Sequence, residues 1–249
     1  MGTLEVLAIL AAGFVAGMVN AVVGTGSLLT FPTLLAVGYP PVVANMSNTV
    51  GLVLGNVSGV VGYRRELAGQ RNRLLGLAIP TTIGAVVGAI LLLALPEGVF
   101  RRVVPILILF AVGLVVAQPR LSALLARYRD HAGSAWALRA SILMAAVYAG
   151  YFGAGVGVIF IGLLSVFIKD DLQRLNGVRN VLAAVSNTVA SVVFIFFGHI
   201  AWEAAGLLAV SSIAGGQLGA SVGRRLPSNV LRTLIVIGGL AAVVKLLVS

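Results

Sequence analysis

The chain alternates apolar runs with short clusters of arginine, and that alternation decides what it can fold into. In the first half the apolar runs cover about Leu4–Val23, Ser27–Val37, Asn45–Tyr63, Leu74–Leu95 and Val99–Ala117. In the second they cover Arg139–Phe152, Val156–Ile168, Leu175–Phe197, Ala201–Val222 and Val230–Leu247. Most approach the roughly 20 residues a helix needs to cross a hydrocarbon core. Of the 249 residues, 59% are hydrophobic and 10% charged; soluble domains carry about 25% charged residues to face water. The expected fold is therefore all-α, a polytopic membrane protein with the lipid bilayer as its solvent. No Lys or Arg precedes the first apolar run, so Met1-Gly2-Thr3-Leu4-Glu5 reads as the start of a retained helix and not as a secretory signal.

A net charge of +10 would suggest nucleic acid in a soluble chain. Here the basic residues sit between apolar runs, the pattern of cytoplasmic membrane loops, so no nucleic-acid partner is expected. With no Cys and two histidines, His131 and His199, there is no disulfide, no thiolate metal site and no His pair for haem, and no cofactor or metal is expected. The acidic residues Glu5, Glu66, Glu97, Asp130, Asp170, Asp171 and Glu203 all fall at segment ends or in loops, which leaves no buried carboxylate as a proton relay. A Walker A pattern is absent, and no nucleophile pairs with a base, so enzymatic activity is not expected.

Sliding the sequence on itself exposes a duplication. At an offset of 131, Asn45 meets Asn176, Asn56 meets Asn187, Gly84 and Gly88 meet Gly215 and Gly219, and Leu95-Pro96-x-x-Val99-x-Arg101 meets Leu226-Pro227-x-x-Val230-x-Arg232. At 129, Gly24-Thr25-Gly26 meets Gly153-Ala154-Gly155, and Phe31 meets Phe160. The expected organisation is a first transmembrane repeat over 1–118, a cytoplasmic linker over 119–138 and a second repeat over 139–249. If the loop holding Arg64, Arg65, Arg71 and Arg73 is cytoplasmic and each half makes an odd number of crossings, more arginines join it inside. Arg120, Arg127, Arg129, Arg139, Lys169, Arg174, Arg224, Arg225 and Arg232 then fall on that side, with Arg101, Arg102 and Lys245 outside. The positive-inside rule thus favours inverted halves with both termini outside, the short segments being either re-entrant or full crossings.

Ser27–Val37 and Val156–Ile168 are too short to span the core, and each follows a Gly-rich break. Interrupted segments at matching places in two inverted halves point to a transporter binding site. Unwound backbone at membrane depth survives where it lines a cavity or is buried in protein, and a helix that starts there aims free N–H groups and its positive dipole end inward. The alternative is that these glycines serve close helix packing. On the first reading Gly24, Thr25, Gly26, Ser27, Gly153, Ala154 and Gly155 offer backbone donors to an anion. Asn56 and Asn187, helped by Ser58, Ser186 and Thr188, offer amides near the midplane, or else bond neighbouring helices. Asn48, Thr49, Arg179 and Asn180 lie in the first turns of their segments. Arg179 is either an intramembrane charge that selects anions or a snorkelling flank residue. The faces Gly13-x-x-x-Gly17, Gly51-x-x-x-Gly55-x-x-x-Gly59, Gly84-x-x-x-Gly88 and Gly215-x-x-x-Gly219-x-x-x-Gly223 read as packing surfaces, which also offer a homo-oligomer contact. Pro96 and Pro227 read as turn residues.

At the strings Gly24-Thr25-Gly26-Ser27-Leu28-Leu29-Thr30-Phe31-Pro32 through Gly38-Tyr39-Pro40, Asn45-Met46-Ser47-Asn48-Thr49, Gly62-Tyr63-Arg64-Arg65, Gly153-Ala154-Gly155-Val156-Gly157 and Asn176-Gly177-Val178-Arg179-Asn180, the chain resembles the sulfite exporter TauE/SafE family of bacterial membrane proteins. The likeness spans nearly the whole chain and occurs twice. Gly162 replaces the Pro of the second half, and Lys169-Asp170-Asp171 replaces the Gly-x-Pro ending. The resemblance implies a multi-pass inner-membrane transporter of sulfite, sulfonates or related small anions. Together the readings lead to a secondary transporter of a small oxyanion working by alternating access. A passive anion channel and a non-transporting membrane subunit are the alternatives.

Overall fold

The computed structural model describes residues 1–127 and 134–221, together with Thr233, residues 236–240, Val243 and Leu246. Arg129, Asp130, His131, Gly223, Arg224, Arg225, Pro227, Arg232, Lys245 and most of the last apolar run lie outside the described residues, as do the side chains of Arg120 and Arg127. The described chain is all-α, without a strand. Its helices are α1 (Thr3–Val22), α2 (Ser27–Val37), α3 (Pro41–Gly62), α4 (Arg71–Ala94), α5 (Glu97–Arg127), α6 (Ala135–Tyr151), α7 (Val156–Phe167), α8 (Leu172–Phe197) and α9 (Trp202–Ser221). Four of them, α1, α4, α5 and α8, are long and apolar enough to cross a membrane. At 22 residues α3 is as long as these, but Asn45, Ser47, Asn48, Thr49 and Asn56 lower its hydropathy.

Local chemistry sets the boundaries. Ser134 caps α6 by accepting from the Ala137 N–H at 3.2 Å, and Asp171 caps α8 by accepting from the N–H groups of Gln173 and Arg174. Gly38, at φ +104°, ends α2 in the left-handed conformation that glycine adopts without strain. The fifth apolar run reads as ending near Ala117, whereas α5 continues to Arg127. The extension runs through Pro119, which removes one backbone donor without ending the element, and the leucines and alanines of 121–126 favour helix beyond it.

The halves are interleaved. α1 lies along α9, and α4 along α6, while α3 packs on α9 and on α8. Gly13 of α1 faces Leu208 and Ser211, and Gly17 faces Ser212 and Gly216, so α1 and α9 run parallel. Gly84 faces Leu143 to Val147 and Gly88 faces Val147 to Tyr151, so α4 and α6 also run parallel. By contrast the start of α3 meets the end of α8: Gly198 packs on Met46, and the Ser47 hydroxyl accepts from the Ala201 N–H at 2.9 Å. A methyl group added at Gly17, Gly84, Gly88 or Gly215 would strike a backbone carbonyl of the facing helix. These small-residue faces are therefore occupied inside the chain. That corrects the expectation of a homo-oligomer contact through them, because the backbone approach they permit is already filled by another helix of the same chain.

Candidate functional site

The break between α1 and α2 is polar and densely bonded. Gly24 sits at φ +81°. Asn20, one turn before it, accepts from the Gly26 N–H at 2.6 Å and donates through Nδ2 to Asn56 Oδ1 at 3.2 Å. Thr30 in the first turn of α2 donates to Asn48 Oδ1. Thr25, Thr30, Asn48 and Asn56 are all buried, and Ser27 is half-buried. Two donors of this cluster have no partner, the Thr25 hydroxyl and Asn56 Nδ2. A buried polar atom left unbonded costs about 1–3 kcal/mol, so such atoms mark either strain or a missing ligand.

Arg179 closes the same cluster from α8. It is 1% exposed, which excludes the snorkelling reading. Its Nη2 donates to Ala21 O at 3.1 Å, Asn20 O at 3.4 Å and Asn180 Oδ1 at 2.8 Å, and Nη1 to Val22 O at 3.4 Å. Asn180 Nδ2 adds a bond to Ala21 O at 3.4 Å. The guanidinium thus caps the carbonyl end of α1, where the helix dipole is negative. Its Nε is buried without a partner, and among the described residues no carboxylate is within ion-pair distance of it. Partial charges on carbonyls do not neutralise a full buried charge, whose desolvation costs several kcal/mol.

The second break, between α6 and α7, shares a left-handed first glycine with the first break but also holds a left-handed glycine where Gly26 is right-handed, and its walls differ. Gly153 and Gly155 lie at φ +74° and +75°. Tyr148 Oη donates to Ala154 O at 2.5 Å, and Phe152 is ringed by Phe31 at 5.4 Å, Phe100 at 6.2 Å and Tyr148 at 6.4 Å in edge-on contacts. Asn45 of α3 donates to Tyr151 O at 3.0 Å and caps the end of α6, as Arg179 and Asn180 cap α1. Thr49 bonds back to its own helix at Asn45 O. Asn187 is half-buried on α8, about two turns beyond Asn180.

The two breaks touch. Gly157 N–H donates to Gly24 O at 3.2 Å, and a Cβ at Gly24 would lie 2.7 Å from Gly157 Cα and 3.0 Å from Arg179 Nη1. In this conformation Gly24, Thr25, Gly26, Asn20, Asn56, Arg179 and Asn180 share one site. Gly153, Ala154 and Gly155 stand on the aromatic side of the contact, and Asn187 lies further along α8. Asn20 and Thr30 are missing from the sequence expectation. An amide one turn ahead of a Gly-rich break in an otherwise apolar run was the available signal for Asn20.

At the end of the molecule where α3 finishes and α8 begins, an ion pair joins the halves and a second one supports it. Asp170 accepts from Arg73 Nη1 at 2.7 Å and from Arg174 Nε at 3.1 Å. Gln70 Nε2 bonds Glu66 O and Arg174 O. The Arg73 hydrogen bond, reinforced by the charges of Arg73 and Arg174, holds the Asp170 carboxyl below the usual aspartate range. Among the described residues no cluster of His, Cys, Asp and Glu could hold a metal ion.

Comparison with known proteins agrees with this architecture. A "Probable membrane transporter protein" of Haemophilus influenzae is 28% identical over 94% of this chain and 91% of its own length. "Probable membrane transporter protein YfcA" of Escherichia coli K12 is 27% identical over 93% of this chain and 86% of its own. No solved structure matches. The profile of the family described as "Sulfite exporter TauE/SafE" matches residues 9–246. A chain matched over nearly its whole length, all-α over its described residues and with four helices among them fit to cross a membrane, is a multi-pass membrane transporter and belongs to the sulfite exporter TauE/SafE family.

Proposed function

We propose that the protein is a secondary transporter that carries a small oxyanion, sulfite, a sulfonate or a related organic anion, across a bacterial inner membrane by alternating access. The observation that carries the reading is Arg179, a buried cation without a carboxylate partner among the described residues, next to the unpaired donors of Thr25 and Asn56. An oxyanion supplies acceptors and a negative charge to the same groups. Gly24, Thr25, Gly26, Ser27, Asn48, Thr49, Asn56, Arg179 and Asn180 form the substrate site of this conformation. Gly153, Ala154, Gly155 and Asn187 meet the anion after the two breaks part. The halves 1–118 and 139–249 work as inverted repeats joined through a cytoplasmic linker at 119–138, with both termini outside. The parallel run of α1 with α9 and of α4 with α6, and the meeting of the Arg71–Arg73 stretch with Arg139 and Arg174 at one end among the described residues, support that arrangement.

The test is anion flux into proteoliposomes. Wild type moves sulfite or a sulfonate faster than empty vesicles, and Asn56→Ala and Arg179→Gln each lower the rate at least tenfold. Flux equal to empty vesicles, or Asn56→Ala equal to wild type, overturns the assignment. Single-channel currents in a planar bilayer would replace the carrier by a channel.

A further inference from the structure

A cavity of about 720 Å³ opens between α3 and α9, away from the substrate site. Its wall is apolar: Leu54, Val57 and Val61 follow one another on one face of α3, each more than 40% exposed, opposite Ile213 of α9. From residue 54 to 61 this strip is about 10 Å long at 1.5 Å per residue. It ends at Arg64 and Arg65, both exposed at the cavity mouth. Among the described residues neither guanidinium makes an ion pair, and the one carboxylate at the mouth, Glu66, leaves the rim net positive. Thr25, Asn56 and Arg179 do not line this cavity.

We propose that the cleft binds one anionic phospholipid of the leaflet facing Arg64 and Arg65, with its phosphate on the two guanidinium groups and an acyl chain along Leu54, Val57 and Val61. The chemistry requires both ends of the ligand. A membrane-facing apolar strip offers a soluble anion nothing, and a neutral hydrocarbon does not use two arginines at the headgroup level. Fork-shaped donors suit a phosphate better than the single charge of a lysine. The lipid lies in the groove between α3 of one half and α9 of the other, so it bridges the halves. The proposal needs the membrane fold and is independent of the transported substrate.

Native mass spectrometry of the full chain tests it, with phosphatidylglycerol and phosphatidylethanolamine of identical acyl chains offered together. The expected result is one retained phosphatidylglycerol per chain, preferred at least fivefold. Arg64→Gln with Arg65→Gln abolishes the preference, the Arg64→Lys, Arg65→Lys pair retains part of it, and Val57→Trp, which fills the apolar strip, lowers retention of both lipids. Unchanged preference in the Gln pair, unchanged retention in Val57→Trp, or full displacement of the lipid by glycerol 3-phosphate or sulfite overturns the proposal. The last outcome makes the cleft a vestibule for soluble anions. Failure of either kind leaves the flux assay of the substrate site unaffected.

Discussion

Replacing Asp170 by Asn weakens the ionic closure between the first turn of α4 and the start of α8, and the structure sets the size of the effect. The side chains of Arg73, Asp170 and Arg174 are 30%, 18% and 37% exposed, so each contact belongs with partly solvated ion pairs worth about 0.2–1 kcal/mol. Only the Arg73 contact crosses between the halves, since Arg174 lies four residues from Asp170, so the closed arrangement gains about 0.2–1 kcal/mol, a factor of roughly 1.4–5 in the open population at 1.4 kcal/mol per decade. The natural chain has no cysteine, so a single Leu175→Cys, at a position fully buried beneath the closure, reports opening through its rate of labelling by a membrane-impermeant thiol reagent. Asp170→Asn raises that rate about 1.4–5-fold, and 1 M salt, which shortens screening to about 3 Å, moves wild type the same way. The pH dependence has a definite sign. The folded carboxyl titrates below its unfolded value of about 3.9, so its stabilisation is present above that value and is lost as pH falls through the folded pKa. Wild-type labelling is therefore set by the closed population from neutral pH down to about 5. A labelling rate in Asp170→Asn equal to that of wild type would refute the assignment of this cluster as a closure.

Four further substitutions separate structural from functional roles. Asn20→Ala strips the Gly26 N–H and the Asn56 amide of their partner and destabilises by about 1–3 kcal/mol, read by thermal unfolding in detergent; an unchanged midpoint would contradict the bonded break. Gly157→Ala drives a methyl group into Gly24, costs about 1–3 kcal/mol as overpacking and abolishes flux, and normal flux would mean the breaks do not need their contact. Asn45→Ala frees the Tyr151 carbonyl and costs about 0.6–1.7 kcal/mol, the range of interhelical bonds in membranes, measured by chemical unfolding. Asn187→Ala, outside the bonded cluster, leaves the unfolding midpoint within a degree of wild type and lowers flux, whereas loss of stability without loss of flux would remove Asn187 from the site.

The fold was legible because hydrocarbon imposes it: apolar length and charge spacing leave few solutions. Segment ends followed wherever a residue forces them, as at Ser27, Gly38, Val156 and Phe197. They were missed at α5, where Gln118-Pro119-Arg120 reads as the end of the apolar run but the helix continues through it to Arg127. The breaks were legible from glycine spacing, and the structure brings them into contact. Their inequality was not. Asn20, Thr30 and Tyr148 flank their breaks in sequence, but the arrival of Asn56 and Asn48 at the first and of Phe31 and Phe100 at the second depends on helices distant in sequence, which no local pattern encodes. The pairing of Arg179 with the end of α1 is of the same kind, joining residues 158 positions apart.

That pairing has a consequence for how the protein is made. The carbonyls of Asn20, Ala21 and Val22 enter the membrane early, yet their cap is encoded on α8. At roughly 5–20 residues per second, Arg179 leaves the ribosome about 8–30 s after Ala21. For that interval the first hairpin holds an unsatisfied helix end in or near lipid, a state that water or the insertion machinery must shelter. Asn45 reverses the order, since it is already waiting when Tyr151 arrives. A first half expressed alone would insert its helices and never finish its hairpin, whereas co-expression with the second half supplies the missing cap from a separate chain.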